Sequence, residues 1–141
     1  MNIDLAGKRA VVSGSTAGIG YAIARGLAGA GAYVILNGRT EGRVEEAVRR
    51  LKADVPNASA EGVAADLGNA EGAAAFIAKA PAADILVNNL GIFEPKPFLD
   101  IPDEDWERFF RLNVLSGVRL ARHYLPGMME RNWGRIVFLS S

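Results

Sequence analysis

The sequence predicts an α/β protein of the doubly wound kind, a parallel sheet with helices on both faces. Three observations carry that prediction. Short apolar runs alternate with stretches of helical periodicity along the whole chain. The first run, Ala10-Val11-Val12, passes through Gly14, Gly18 and Gly20 directly into a helical pattern, a strand–turn–helix unit. Half of the 141 residues are hydrophobic and 23% are charged, which supports one domain, residues 1–141, with its own core.

The elements follow in order. Strand one covers about Arg9 to Ser13, an apolar run suited to burial on both faces of a sheet. Helix one runs from about Gly18 to Ala30 on Ile19, Ala22, Ile23 and Leu27. Gly29 and Gly31 are expected to end it, since glycine accepts a left-handed cap. Strand two is Tyr33 to Leu36. Helix two spans about Glu41 to Ala53 and buries Val44, Ala47, Val48 and Leu51. Its Arg49, Arg50 and Lys52 suit the C-terminal end of the helix dipole and read as a solvated face. Pro56 closes that helix, and Ala60 to Ala65 forms a third strand, although alanine is a poor strand former.

Helix three, about Asn69 to Lys79, buries Phe76 and Ile77, and strand four is Asp84 to Asn88. Pro95 and Pro97 hold an irregular loop. A long helix begins near Asp103, with Asp103, Glu104 and Asp105 as cap and dipole partners, and ends around Pro126 to Arg131. Its Trp106, Phe109 and Phe110 read as core and subunit contact. His123 and Tyr124 read as surface or interface residues. Asn132 to Gly134 turns the chain into strand five, Arg135 to Ser141. Right-handed crossovers then give a Rossmann-type sheet in the order 3-2-1-4-5.

Composition excludes several classes of function. Lys plus Arg and Asp plus Glu each number 16, so no net charge favours a nucleic acid or an acidic membrane surface. There is no cysteine for a disulfide, a thiolate nucleophile or a thiolate metal site. A single histidine argues against a structural metal. Neither a signal-peptide core nor a bilayer-length apolar run is present, so the expectation is a cytoplasmic protein without membrane or nucleic-acid partners.

In a sheet of this order the ligand crevice lies beyond the C-terminal ends of strands one and four. Ser13 to Gly20, Asn37 to Arg39, Ala65 to Leu67, Asn88 to Gly91, and Ser140 with Ser141 all fall on that edge. The glycine turn presents unpaired backbone N–H groups and the positive end of a helix dipole, a setting for a dinucleotide pyrophosphate. Its spacing, Gly-x-x-x-Gly-x-Gly, differs from the commoner Gly-x-Gly-x-x-Gly, and plain turn glycines often precede helices. The convergence of five segments on one edge is what makes it a candidate site.

Taken together, these segments resemble the short-chain dehydrogenase/reductase family over the whole chain. Ser13-Gly14-Ser15-Thr16-Ala17-Gly18-Ile19-Gly20 is similar to the family's Thr-Gly-x-x-x-Gly-x-Gly, with serine for threonine. Asp66-Leu67 matches the acidic segment that meets the adenine ring, and Asn88-Asn89-Leu90-Gly91 resembles Asn-Asn-Ala-Gly. Asn113 stands where the family has an active-site asparagine whose backbone carbonyl holds a relay water, and Ser141 takes the place of the active-site serine. The resemblance implies hydride transfer between a nicotinamide cofactor and a small carbonyl or alcohol substrate, in a homodimer or homotetramer. The cofactor residues it implies are Gly14, Ser15, Thr16, Gly18, Ile19, Gly20, Arg39, Asp66, Leu67, Asn88, Asn89 and Gly91.

NAD-preferring relatives usually place an aspartate where this chain has Gly38. Arg39 beside that glycine suits a 2′-phosphate through bidentate, fixed-charge hydrogen bonds, which favours NADP, with NAD the less favoured choice. Against this stand Ala17, where many NADP users carry a base, and the plain reading of Arg39 as an exposed helix-opening residue. The plain reading of Asp66 is a residue that begins a turn before helix three. The family's catalytic Tyr-x-x-x-Lys has no counterpart, because Tyr21, Tyr33 and Tyr124 are followed four places on by Arg25, Asn37 and Met128. The expectation is the N-terminal part of a longer enzyme that lacks the family's C-terminal strands. The rivals are a non-catalytic, redox-sensing nucleotide module and an extended-type epimerase or dehydratase, whose usual Gly-x-x-Gly-x-x-Gly is missing here.

Overall fold

The computed structural model describes residues 1–140. Its strands are β1 (Arg9–Val12), β2 (Tyr33–Gly38), β3 (Ser59–Ala64), β4 (Ile85–Asn88) and β5 (Arg135–Phe138). The helices are α1 (Gly18–Gly29), α2 (Glu41–Asp54), α3 (Ala70–Lys79), α4 (Asp103–Phe110) and α5 (Ser116–Glu130). All strand pairs are parallel and the order is β3-β2-β1-β4-β5, as the alternation predicts. Val12 pairs with Leu36 on one side and Val87 on the other, so β1 is central and its C-terminal end opens onto the topological switch.

Side-chain alternation divides the core between the two faces. Ala10, Val12, Val34, Leu36, Ile85 and Val87 pack with Tyr21, Ala24 and Ala28 of α1 and Ala47 and Leu51 of α2. Val11, Ile35, Val63 and Leu86 pack instead with Phe76 of α3 and Leu120, Tyr124 and Met128 of α5. Because successive residues point to opposite faces, strands buried on both sides must be apolar at every position, which explains their unbroken apolar runs.

Some local expectations hold and others are corrected. Helix one ends as expected, with Gly29 its last residue and Gly31, at φ +98°, making the left-handed exit. Asp103, Glu104 and Asp105 are dipole partners only, since Pro102 holds the N-cap position without a side-chain cap bond. The long helix ends at Glu130, within the expected Pro126 to Arg131, with Pro126 accommodated inside α5. Trp106 and Phe110 are 55% and 54% exposed and α4 buries no residue, so those aromatics are not core. The long helix is also not uniform: α4 and α5 are joined by a π-helical turn, Arg111–Leu115, with Asn113 at its centre. Such turns insert an extra residue into the helical ladder and redirect side chains locally.

Candidate functional site

Beyond Val12 the chain turns through Ser13–Gly20, and buried polar side chains fix that turn. Ser13 is buried, and its hydroxyl oxygen accepts from the backbone N–H groups of Asn89 (3.0 Å) and Leu90 (2.9 Å). The Asn89 side-chain amide donates back to the carbonyls of Ser13 (3.3 Å) and Gly14 (3.0 Å). Ser15, fully buried, donates its hydroxyl to the Val12 carbonyl at 2.7 Å. The turns after β1 and β4 are thereby locked together at the crevice.

Asn37, near the end of β2, ties in a third segment. Its Oδ1 accepts from Gly14 N–H (3.1 Å), while its Nδ2 donates to the carbonyls of Val63 and Ala65, each at 3.2 Å. Its backbone exchanges hydrogen bonds with Ser15, N–H to Ser15 Oγ (2.9 Å) and carbonyl from Ser15 N–H (2.8 Å). The sequence places Asn37 and Ser13 on the crevice edge but gives them no part in holding it together. The signal was available at Asn37: an amide inside an otherwise apolar strand must find partners if it is buried.

The backbone of the turn suits an anion. Gly14 and Gly18 take φ of +58° and +60°, the left-handed region that a Cβ disfavours. A Cβ on Gly20 would overlap the Gly14 carbonyl and the Asn89 amide, so α1 can enter this close only as glycine. Ala17 gives α1 no side-chain cap, and the first turn carries no acid. The amino-terminal N–H groups of α1 are thus left without a capping side chain, and a diphosphate matches both their direction and the dipole. Thr16 is half-buried against Gly38, whereas Ile19 and Arg39 are exposed.

The remaining predicted residues spread along the same edge. Asp66 is exposed, and its Oδ1 accepts from Gly68 N–H at 2.9 Å, so its carboxylate closes its own turn; Leu67 is buried core. Asn88 is buried, pairs with β5 by accepting from Leu139 N–H (3.0 Å), and donates Nδ2 to the Gly117 carbonyl at 3.4 Å. Gly91 packs against Asn113 Oδ1, where a Cβ would come within 2.8 Å. Asn113 clamps Ile92 from both ends: Oδ1 accepts from Ile92 N–H (2.7 Å), and Nδ2 donates to the Ile92 carbonyl (3.1 Å). Its side chain therefore positions the loop after β4. Ser141 lies outside the described residues.

None of the tyrosines stands ready as an acid at the crevice. Tyr124 is buried and donates to the Ala80 carbonyl at 2.6 Å, and burial pushes its phenol well above the ordinary range. Tyr21 donates to Asp54 at 2.5 Å, and burial followed by that carboxylate raises its pKa. Tyr33 is raised by burial and then by Glu61. His123 pairs with the Pro81 carbonyl at 2.8 Å. Ala80 and Pro81 precede β4, so Tyr124 and His123 are committed to the sheet edge opposite the crevice.

Known proteins are similar to this chain in sequence and fold. The profile of the short chain dehydrogenase family matches residues 8–141. YvaG of Bacillus subtilis (strain 168), described as an uncharacterized oxidoreductase, is 50% identical over 141 residues, covering 100% of this chain and 53% of that protein. The 3-oxoacyl-(acyl-carrier-protein) reductase FabG of Aquifex aeolicus is 40% identical over 149 residues, covering 100% of this chain and 58% of that enzyme. L-Sorbose reductase from Gluconobacter frateurii, solved with NADPH and L-sorbose, superimposes with a TM-score of 0.89 at 39% identity, over 96% of this chain and 53% of that one. The chain spans about half the length of these relatives. Sequence and fold agree from β1 to β5, and the chain belongs to the short-chain dehydrogenase family.

Proposed function

We propose that residues 1–141 form one cofactor-binding unit of an NADP(H)-dependent oxidoreductase acting on a carbonyl or alcohol substrate. The observation that carries the reading is the uncapped amino terminus of α1 behind a glycine turn at the topological switch, with Arg39 exposed beside Gly38. The solved sorbose reductase complex with NADPH supports it. When bound, the nicotinamide cofactor supplies or accepts the hydride.

This chain's residues would bind and orient. Gly14 to Gly20 receive the pyrophosphate, Arg39 the 2′-phosphate, and Asp66 with Leu67 border the adenine. Asn88, Asn89 and Gly91 wall the crevice under the nicotinamide end. Asn113 holds the loop after β4, and the Ser141 hydroxyl orients the substrate oxygen. Trp106, Phe110, Val114 and Val118, all exposed on the α4–α5 stretch, provide an apolar face suited to a homo-oligomer.

Calorimetric titration of the purified chain with NADP+ and NAD+ tests the cofactor assignment. NADP+ should bind at least about tenfold more tightly, since an Arg–phosphate contact contributes roughly 1.5–3 kcal/mol. Equal affinity for the two would overturn the NADP assignment, and binding of neither would overturn the site.

A further inference from the structure

Gly38 occupies the position where an acidic side chain would meet an unphosphorylated adenosine ribose, and its backbone does not account for the glycine. It is a strand residue paired with Ala64, and its φ lies outside the left-handed region, so any L-residue could adopt it. The surroundings explain it. A Cβ built on Gly38 would lie 2.5 Å from Thr16 Cγ2, with Thr16 Oγ1 at 3.6 Å and Val44 Cγ2 at 3.2 Å. The Val44 contact is tight but can relax by a few tenths of an ångström. A separation of 2.5 Å cannot persist.

Threonine is branched at Cβ and stiff at χ1. Rotation one way puts Oγ1 where the methyl was, and only the remaining rotamer turns a hydrogen toward position 38. Thr16 also lies inside the glycine turn between Ser15, fixed by Val12 and Asn37, and the start of α1, so its backbone has little room to retreat.

We propose that Thr16 is a specificity-determining residue, because its γ-methyl fills the space that any side chain at position 38 needs. While that methyl faces position 38, no carboxylate can be built beside the adenosine ribose. The site is thereby left to Arg39 and to a 2′-phosphorylated adenosine in place of a free ribose diol. The inference rests on the NADP reading for its ligand, but its steric core does not. It predicts that residues 16 and 38 change together: an acid at 38 works only with a smaller residue at 16.

The test is a double-mutant cycle on the 141-residue chain, using Thr16→Ser, which removes only Cγ2, with Gly38→Ala and Gly38→Asp. Gly38→Ala alone should lower Tm by about 5 °C, although Gly→Ala at an unstrained strand position ordinarily stabilises. Adding Thr16→Ser should recover most of that loss. By calorimetry, Gly38→Asp alone should weaken both NADP+ and NAD+. Gly38→Asp with Thr16→Ser should shift the ratio of their dissociation constants at least tenfold toward NAD+.

Additive Tm changes would overturn the steric claim, as would a full cofactor shift in Gly38→Asp with Thr16 intact. Coupled Tm changes without a shift in the ratio would overturn the specificity role. If the unaltered chain binds neither nucleotide, the NADP reading and the specificity role fall together, while the Tm cycle still decides the contact.

Discussion

Arg39 and Asn37 stand two residues apart and do opposite work. Arg39 is exposed, its charge available for the proposed 2′-phosphate; Asn37 is 2% exposed and spends its amide on two other backbone segments, the first turn and the end of β3. Replacing Arg39 with aspartate should cost the 2′-phosphate about 1.5–3 kcal/mol and reverse the preference between NADP+ and NAD+, read as the ratio of their dissociation constants. An unchanged ratio would remove Arg39 from the site. Asn37→Asp swaps a donor for an acceptor facing the Val63 and Ala65 carbonyls and buries a charge. It should destabilise the chain by about 3 kcal/mol in denaturant unfolding, well beyond the effect of an exposed substitution. A change under about 1 kcal/mol would show that the two segments do not depend on that amide.

At the scale of elements, the loop from Ile92 to Pro102 is held by Asn113 on one side and by charges on the other. Arg108 pairs with Glu94 and Asp105, and Lys96 pairs with Asp105. The Arg108 hydrogen bond lowers the Glu94 pKa, and the Lys96 hydrogen bond, ahead of that from Arg108, lowers that of Asp105. A carboxylate depressed in the folded state stabilises above its unfolded pKa and loses that contribution as pH falls through the folded value. The loop should therefore stay ordered at neutral pH and loosen below about pH 4, the ordinary carboxylate range. Amide chemical shifts of residues 92–101 should move toward random-coil values there while those of β1 stay fixed. Loops that hold their shifts at pH 2 would show that Asn113 alone suffices. On the opposite face, Phe76 is fully buried between α3, α5 and the sheet, and Phe76→Ala should cost about 3–5 kcal/mol.

For the whole molecule, binding and turnover should separate. The chain of 141 residues has the proposed phosphate turn and Arg39, but Tyr21 and Tyr124 are bonded elsewhere and none of its tyrosines is followed by Lys at the fourth place. General acid catalysis supplies about 10²–10⁴-fold, so NADPH oxidation with a panel of ketones and aldehydes should stay at background even where calorimetry shows nucleotide bound. Turnover at ordinary enzymatic rates would mean that another group delivers the proton. The chain should also associate with itself. Trp106, Phe110, Val137, Phe138 and Leu139 are all between 45% and 55% exposed, and β5 has an unpaired edge among the described residues. Light scattering at tens of micromolar should report more than a monomer, and Trp106→Lys should reduce the association.

Sheet order, element sequence and the place of the crevice were legible from the chain alone, because each rests on local signals. Residue-by-residue apolar strands, helical stripes and a glycine turn need no knowledge of their neighbours. The candidate site residues Gly14 to Gly20, Arg39 and Asn88 to Gly91 could be placed on one edge for the same reason: strand ends follow from strand order. Contacts between segments distant in sequence could not be read this way. That Asn37 binds Gly14, Val63 and Ala65 at once depends on the register of β1, β2 and β3 and the bend of one turn. The π-turn around Asn113 lies where that side chain grips Ile92, and the exposure of Trp106 and Phe110 follows from α4 burying no residue. Periodicity marks an apolar face but not what covers it. A glycine at position 38 reads in sequence as a missing acid; only the fold shows Thr16 standing where its side chain would be.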